Sequence, residues 1–287
     1  MINRNNTFIH GCWRLNSWGY SDKQLLDFIH QLVELDITHF DHADIYGDYS
    51  CEQLFGQALK LQPEIRDKIF LTSKCGIKLP SVKFPGQTHI YDTDFKHIIA
   101  AVERSLTNLA TDHLDLLLIH RPDWLMNPEE VALAFSSLAS AGKVLNFGVS
   151  NFLPAQFELL QAYLDFPLQT NQIEASVMQH QHFTNGNIDY LYKNKIRPQI
   201  WSPLAGGRLF NHDEPVFKVL TKIGANHSCT AEQIAFAWLL RHPAKFQILL
   251  GSGKIERIVS AMASQDITLS RDEWYQVWVA AVGVDIP

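Results

Sequence analysis

Four side chains in this sequence are of types and spacings that could combine into proton-transfer chemistry. Asp41 ends the apolar stretch Ile37-Thr38-His39-Phe40-Asp41, and Tyr46 follows in Asp41-His42-Ala43-Asp44-Ile45-Tyr46-Gly47. Lys74 ends Leu71-Thr72-Ser73-Lys74, and His120 ends Leu114-Asp115-Leu116-Leu117-Leu118-Ile119-His120. A phenol with a pKa of ~10 is a weak acid at neutral pH. An ammonium beside it favours the phenolate and is expected to lower that pKa. Asp41 would pair with Lys74, orient it and offset the cost of burying it. His120 would polarise or orient a substrate oxygen. The chemistry this describes is proton donation to a carbonyl. Three such polar residues ending buried strands would be expensive as architecture alone.

The elements that must position them alternate regularly. Short apolar strands are predicted over 8–12, 37–41, 68–74, 114–120, 144–150, 168–172, 196–202 and 246–250. Amphipathic helices are predicted from Ser21, where Gln24 is the capping-box partner, and over 51–61, 94–109, 130–140, 154–163, 188–194, 231–241 and 255–263. One more helix is predicted over 271–281. Strict alternation implies a parallel sheet, and eight repeats favour closure into a single-domain (β/α)8 TIM barrel spanning 1–287, with the extra helix at its C-terminus. Side-chain parity places Lys74 on one face with Phe70 and Thr72, and His120 with Leu116 and Leu118. In such barrels chemistry sits at the C-terminal strand ends, where all these residues fall.

Other classes are disfavoured. No G-x-G-x-x-G follows the first strand, and Gly251-Ser252-Gly253-Lys254 is no P-loop: Ile248 stands where its first glycine is due, and Ile255 where a Ser/Thr should follow. Formal charge is −6, from 24 basic and 30 acidic residues, which gives no reason to expect nucleic acid or an anionic membrane as partner. No apolar run approaches the ~20 residues of a membrane span, and residues 1–10 do not read as a secretory signal. Cys12, Cys51, Cys75 and Cys229 form no C-x-x-C pair, so reduced thiols in the cytoplasm are expected.

The tetrad Asp41, Tyr46, Lys74, His120 resembles that of the aldo/keto reductases. So do the strings Leu118-Ile119-His120-Arg121-Pro122, Gly148-Val149-Ser150-Asn151-Phe152, Asn171-Gln172-Ile173-Glu174 and Trp201-Ser202-Pro203-Leu204, in order along nearly the whole chain. The sequence is most similar to a bacterial branch of NADPH-dependent oxidoreductases in which His42 replaces the commoner threonine. The resemblance implies reduction of aldehydes or ketones to alcohols by NADPH, with Tyr46 as proton donor. It implies that Ser150, Asn151 and Gln172 hold the nicotinamide carboxamide and that Trp201 stacks on the ring. Ser202, Pro203, Leu204, Gly206 and Arg208 would line the pyrophosphate, and Gly251, Ser252, Gly253, Lys254 and Arg257 the adenosine end. Phosphate sites of barrel enzymes favour the loops after strands seven and eight, which agrees. Departures from the family pattern are Gly253, where an arginine is usual, and Ser260 and Ala261, where Glu and Asn commonly reach the adenine. The long C-terminal loop of many members is also missing, which predicts an open pocket and broad substrate use.

Smaller signals have plainer readings. His180 and His182 form an H-x-H pair in a turn-rich stretch, and no metal site is expected. His39 reads as a buried partner inside the barrel. Cys75 adjoins Lys74, whose ammonium would lower a thiol pKa, although neighbouring strand residues point to opposite faces. Trp13 and Trp124 are candidates for lining a substrate pocket, with core packing the equally good alternative. The expected partner is a small-molecule carbonyl compound, and a monomer is preferred. Two rivals stay open: a Schiff-base enzyme using Lys74, and a regulatory subunit of the same fold that binds the cofactor with little turnover.

Overall fold

The computed structural model describes residues 7–82, 84–86, 88–211 and 213–286. Residues 1–6 of the N-terminal stretch read above for a leader lie outside them. Eight parallel strands follow one another around a closed barrel in chain order. They are β1 (Phe8–Gly11), β2 (His39–Asp41), β3 (Phe70–Cys75), β4 (Leu116–Ile119), β5 (Phe147–Ser150), β6 (Asn171–Glu174), β7 (Gln199–Trp201) and β8 (Gln247–Leu250). The expected fold class is therefore the observed one; most strands are shorter than the apolar runs predicted, while β3 runs one residue and β6 two residues past the predicted ends. The chain falls into two compact units, 1–171 and 172–287.

In the first unit, α1 (Asp22–Glu34) starts at the capping box predicted from sequence: Ser21 Oγ accepts from Gln24 N–H at 3.3 Å, and Gln24 Oε1 accepts from Ser21 N–H at 2.9 Å. Its stripe of Leu25, Phe28, Ile29 and Leu32 is buried. Helices α2 (Cys51–Leu61), α3 (Phe95–Leu109), α4 (Pro128–Ser140) and α5 (Pro154–Gln161) follow. Parallel registers His39↔Phe70, Phe40↔Leu71 and Asp41↔Thr72 join β2 to β3, and Lys74↔Leu118 and Cys75↔Ile119 join β3 to β4. A hairpin of Ile77–Lys78 and Ile90–Tyr91 was not expected. Two-residue strands carry too little alternation to be read in advance.

In the second unit, α6 (Asn187–Lys193), α7 (Pro215–Asn226), α8 (Ala231–Leu240), α9 (Ile255–Met262) and α10 (Arg271–Val282) surround β6 to β8. The sequence reading missed α7, although Pro215 sits at its N-terminus and Val216, Leu220, Ile223 and Gly224 form its buried stripe. Trp238 and Trp274 stack at 4.7 Å, and each indole N–H donates to the other's carbonyl. No helix among the described residues is long and apolar enough to cross a membrane.

Buried histidines are a feature of the first unit. His39 bonds Thr72 Oγ1 at 2.7 Å, as a buried partner should. His42 is fully buried on Phe55 at 4.5 Å, and neither ring nitrogen has a hydrogen-bond partner among the described residues. Burial, then the Lys74 charge, lowers the pKa of His42 to about 3, so the folded protein holds it neutral. Unfolded, the ring takes up a proton as pH falls through its ordinary value. Its contribution to stability is therefore complete above that value and is lost progressively toward acid pH. Between pH 6.5 and 5.5 this one ring should destabilise the fold by about 1 kcal/mol. His42→Leu should remove that increment from the difference between denaturant titrations at the two pH values; an unchanged difference would contradict neutral burial.

Candidate functional site

Lys74 is the penultimate residue of β3, on the face it shares with Thr72, and its side chain is wholly buried. Three acceptors surround its ammonium: Asp41 Oδ2 at 2.6 Å, the His42 carbonyl at 2.8 Å and Tyr46 Oη at 3.0 Å. The β2–β3 register brings Asp41 alongside. The chain then continues past β2 with His42 N–H donating to Thr72 O at 2.8 Å and Asp44 N–H to Lys74 O at 3.1 Å. That continuation carries Tyr46 to the lysine. His120 follows β4, and its ring meets the Tyr46 ring edge-on at 5.8 Å. All four residues of the tetrad thus converge within the first unit.

Electrostatics refine the sequence expectation. Burial disfavours the Lys74 ammonium, but Asp41 and Tyr46 more than offset it, and its pKa lies above the ordinary lysine value. A charged amine enclosed by three acceptors offers no lone pair to a carbonyl, which argues against the Schiff-base rival. For Tyr46 the outcome is opposite to the one expected. Burial raises its pKa, and the opposing pull of Lys74 does not compensate. The phenol therefore stays protonated at neutral pH. Burial, then Lys74, also pushes His120 well below its ordinary value, so its ring is neutral, and its Nδ1 is buried with no hydrogen-bond partner among the described residues. Cys75 departs from expectation for the same reason: burial, then the Asp44 carboxyl, pushes its thiol well above the usual value.

The remaining candidates divide by strand. Ser150 ends β5, buried, and Asn151 after it adopts φ 59 and donates from Nδ2 to Ser150 Oγ at 2.8 Å. In the second unit Gln172 lies in β6 and donates to Gln199 Oε1 at 3.0 Å. Trp201 ends β7, and Ser202 turns the chain with φ 53. Pro203 and Leu204 lead into the 3-10 segment Ala205–Phe210, where Gly206 and Gly207 take φ of 67 and 98 and Arg208 bonds back to the Ala205 carbonyl. Gly251, Ser252 and Gly253 follow β8, and no heavy atom lies within 4 Å of where a Gly251 β-carbon would stand. Lys254 is the N-cap of α9 in extended conformation, three residues before Arg257. Ser252 Oγ accepts from Lys254 N–H at 3.1 Å, and the Lys254 side chain does not cap α9. Ala261 is buried, and the Ser260 carbonyl accepts from Gln233.

Trp13 and Trp124 are 57% and 86% exposed, which removes core packing as their explanation. Arg14 lies over the Trp13 ring at 5.0 Å, and Tyr91 of the hairpin stands 5.7 Å from Trp124. His180 and His182 are engaged locally, by the Val177 carbonyl and by Asn187.

A (β/α)8 barrel with an acid–base cluster at the ends of its strands is an arrangement of barrel enzymes. The chain belongs to the aldo/keto reductase family, whose model matches residues 7–279. It is 47% identical to the oxidoreductase YdhF of Escherichia coli over 98% of this chain and 95% of the relative. It is 41% identical to a 6-dehydroglucose reductase of Agrobacterium fabrum, over 97% and 95%. An aldo-keto reductase from Klebsiella pneumoniae, crystallised with NADPH, shares the fold with a TM-score of 0.76 at 24% identity, over 94% of this chain and 89% of that one.

The geometry makes Asp41 the compensating charge for Lys74. Asp41→Leu would leave the ammonium buried without its counter-ion, at a cost of about 3–5 kcal/mol. Urea denaturation at pH 7.5 should show it as a lowered midpoint. A midpoint within error of the unmodified protein would mean that Lys74 is not charged in the fold.

Proposed function

We propose that this protein is an NADPH-dependent carbonyl reductase that converts an aldehyde or ketone to the alcohol. The observation that carries this reading is the buried chain Asp41–Lys74–Tyr46, with contacts of 2.6 and 3.0 Å. Tyr46, protonated and beside the neutral His120, donates its phenolic proton to the carbonyl oxygen. The Lys74 ammonium stabilises the phenolate that remains, and Asp41 holds the ammonium in place. A bound nicotinamide would supply the hydride to the carbonyl carbon. The raised phenol pKa suits this division of labour: the proton is present before reaction, and the lysine acts as negative charge develops on the oxygen. The complete tetrad favours turnover over a purely regulatory role.

The residues present fit such a cofactor. The start of α9 offers backbone N–H groups, open space beside Gly251, and the exposed Lys254 and Arg257, a donor set suited to a phosphate. In this reading Ser150, Asn151 and Gln172 hold the carboxamide, Trp201 stacks on the ring, and Ser202 to Leu204 with Gly206 and Arg208 line the pyrophosphate. The four unpaired cysteines suit a reducing compartment such as the cytoplasm. The relative from Agrobacterium makes oxidised sugars natural members of a test panel beside simple aldehydes, ketones and dicarbonyls.

Tyr46→Phe should lower turnover of 4-nitrobenzaldehyde with NADPH by ~10²–10⁴, the range for losing a general acid. Cofactor affinity should stay nearly intact. Retention of full turnover would remove Tyr46 from the acid role. Arg257→Ala should weaken NADPH binding by about tenfold or more, as expected for one charge-assisted contact, and leave NADH nearly unchanged. Fluorescence titration separates the two cofactors, and equal weakening of both would move the phosphate elsewhere.

A further inference from the structure

Tyr46 is followed by three residues in the left-handed region, Gly47, Asp48 and Tyr49, with φ of 60, 55 and 63. Glycine is required at the first: a β-carbon there would meet Cys51 Sγ at 2.5 Å. For Asp48 and Tyr49 the conformation is costly and persists only where the surroundings over-determine it. Lys74, for its part, reaches Tyr46 through a long flexible stem. The 3.0 Å contact between them therefore depends on how firmly this turn is fastened to β3.

Two buried carboxyl groups that the reaction leaves unused stand where that fastening is needed. Glu52, in the first turn of α2, is 1% exposed. Its Oε1 accepts from Ser73 Oγ at 2.6 Å, and its Oε2 from Asn108 Nδ2 of α3 at 3.5 Å. Ser73 is the neighbour of Lys74 on β3 and points to the opposite face. Asp44, two residues before Tyr46, is 4% exposed; Arg104 of α3 stands 4.0 Å from its Oδ2, a contact of charge alone, and neither carboxyl oxygen has a hydrogen-bond partner among the described residues. Helices α2 and α3 meet at Gly56, where a β-carbon would lie 1.9 Å from the Asn108 carbonyl. That close approach brings Asn108 to Glu52.

We propose that Glu52 and Asp44 are positioning residues for the Tyr46–Lys74 pair: Glu52 fastens the start of α2 to Ser73 of β3, and Asp44 with Arg104 fastens the preceding turn to α3. The kinetic part of this inference rests on the carbonyl-reductase reading; the structural part does not. Burial raises both carboxyl pKa values, followed by the opposing Ser73 bond for Glu52 and by Glu52 itself for Asp44. At Glu52 a glutamine keeps the shape and one acceptor oxygen, and is the conservative replacement.

The test compares Glu52→Gln, Glu52→Leu, Ser73→Ala, Asp44→Asn and Asp44→Leu in two assays. One is steady-state carbonyl reduction. The other is amide hydrogen exchange of residues 41–50, read by mass spectrometry without any cofactor. Glu52→Leu, Ser73→Ala and Asp44→Leu should lower kcat by ~10-fold, with KM changed by less than about 2-fold, because misplacing a proton donor penalises the chemical step. Glu52→Gln should stay within about 3-fold of the unmodified enzyme, since it keeps the shape and an acceptor oxygen, whereas Asp44→Asn, which loses the charge facing Arg104, should fall with Asp44→Leu. Joining Glu52→Leu to Ser73→Ala should add less than the sum of the two, as for partners in one contact. Exchange in 41–50 should quicken by ~10-fold in the Leu variants as local opening becomes easier. Unchanged exchange with unchanged kcat in both Leu variants would overturn the inference. So would a Glu52→Gln variant as damaging as Glu52→Leu. If the unmodified protein reduces no carbonyl, the functional reading fails, and exchange alone decides the positioning role. The Gln, Asn and Ala variants keep the test open should leucine prevent folding.

Discussion

A lysine ammonium withdrawn completely from water is the constraint around which the first unit is arranged. Burying such a charge costs several kcal/mol unless a partner of excellent geometry compensates, ~20 in the idealised limit. The partner is Asp41 at 2.6 Å, and it is available because parallel pairing sets Asp41 opposite Thr72, on the face that Lys74 also occupies. The His42 carbonyl and the Tyr46 phenol take the remaining donors of the ammonium. Each requires the chain beyond β2 to keep following β3 for several residues, which the bonds from His42 and Asp44 to Thr72 and Lys74 enforce.

That single charge governs the protonation of its surroundings. His39, His42 and His120 are all lowered, first by burial and then by Lys74. Three rings that would titrate near neutrality in water are thus held neutral, and Asp41–Lys74 is the ion pair at the centre of the cluster. The phenol is the exception in sign. The ammonium favours its ionised form, yet burial outweighs that pull and keeps the proton on oxygen. In the proposed reaction this balance matters most at the transition state. The donor remains loaded while the ammonium is already in place to meet developing negative charge, so little reorganisation is needed.

Two features around this centre have structural rather than chemical explanations. The left-handed run after Tyr46 stores strain that neighbouring contacts must hold, and Tyr49 contributes by accepting a bond from Leu79 N–H through its hydroxyl. The exposed Trp13 and Trp124 sit in loops beyond β1 and β4, where side chains are free of core packing and available for recognition.

The sequence alone determined the barrel and the tetrad, because both rest on local signals. Short apolar runs, the capping box at Ser21 and polar residues ending buried strands are legible without knowing what touches what. Helix α2 was predicted with the bounds it has, Cys51–Leu61. Short or broken elements were not legible: the two-residue hairpin strands and the left-handed turn after Tyr46. Glu52 looked like an ordinary acid in the first turn of a helix, because nothing local says that Ser73 faces it. The direction of the Tyr46 shift was missed for a related reason. Sequence names the charged neighbour, but burial opposes it, and how deeply a side chain is buried is decided only when distant segments pack.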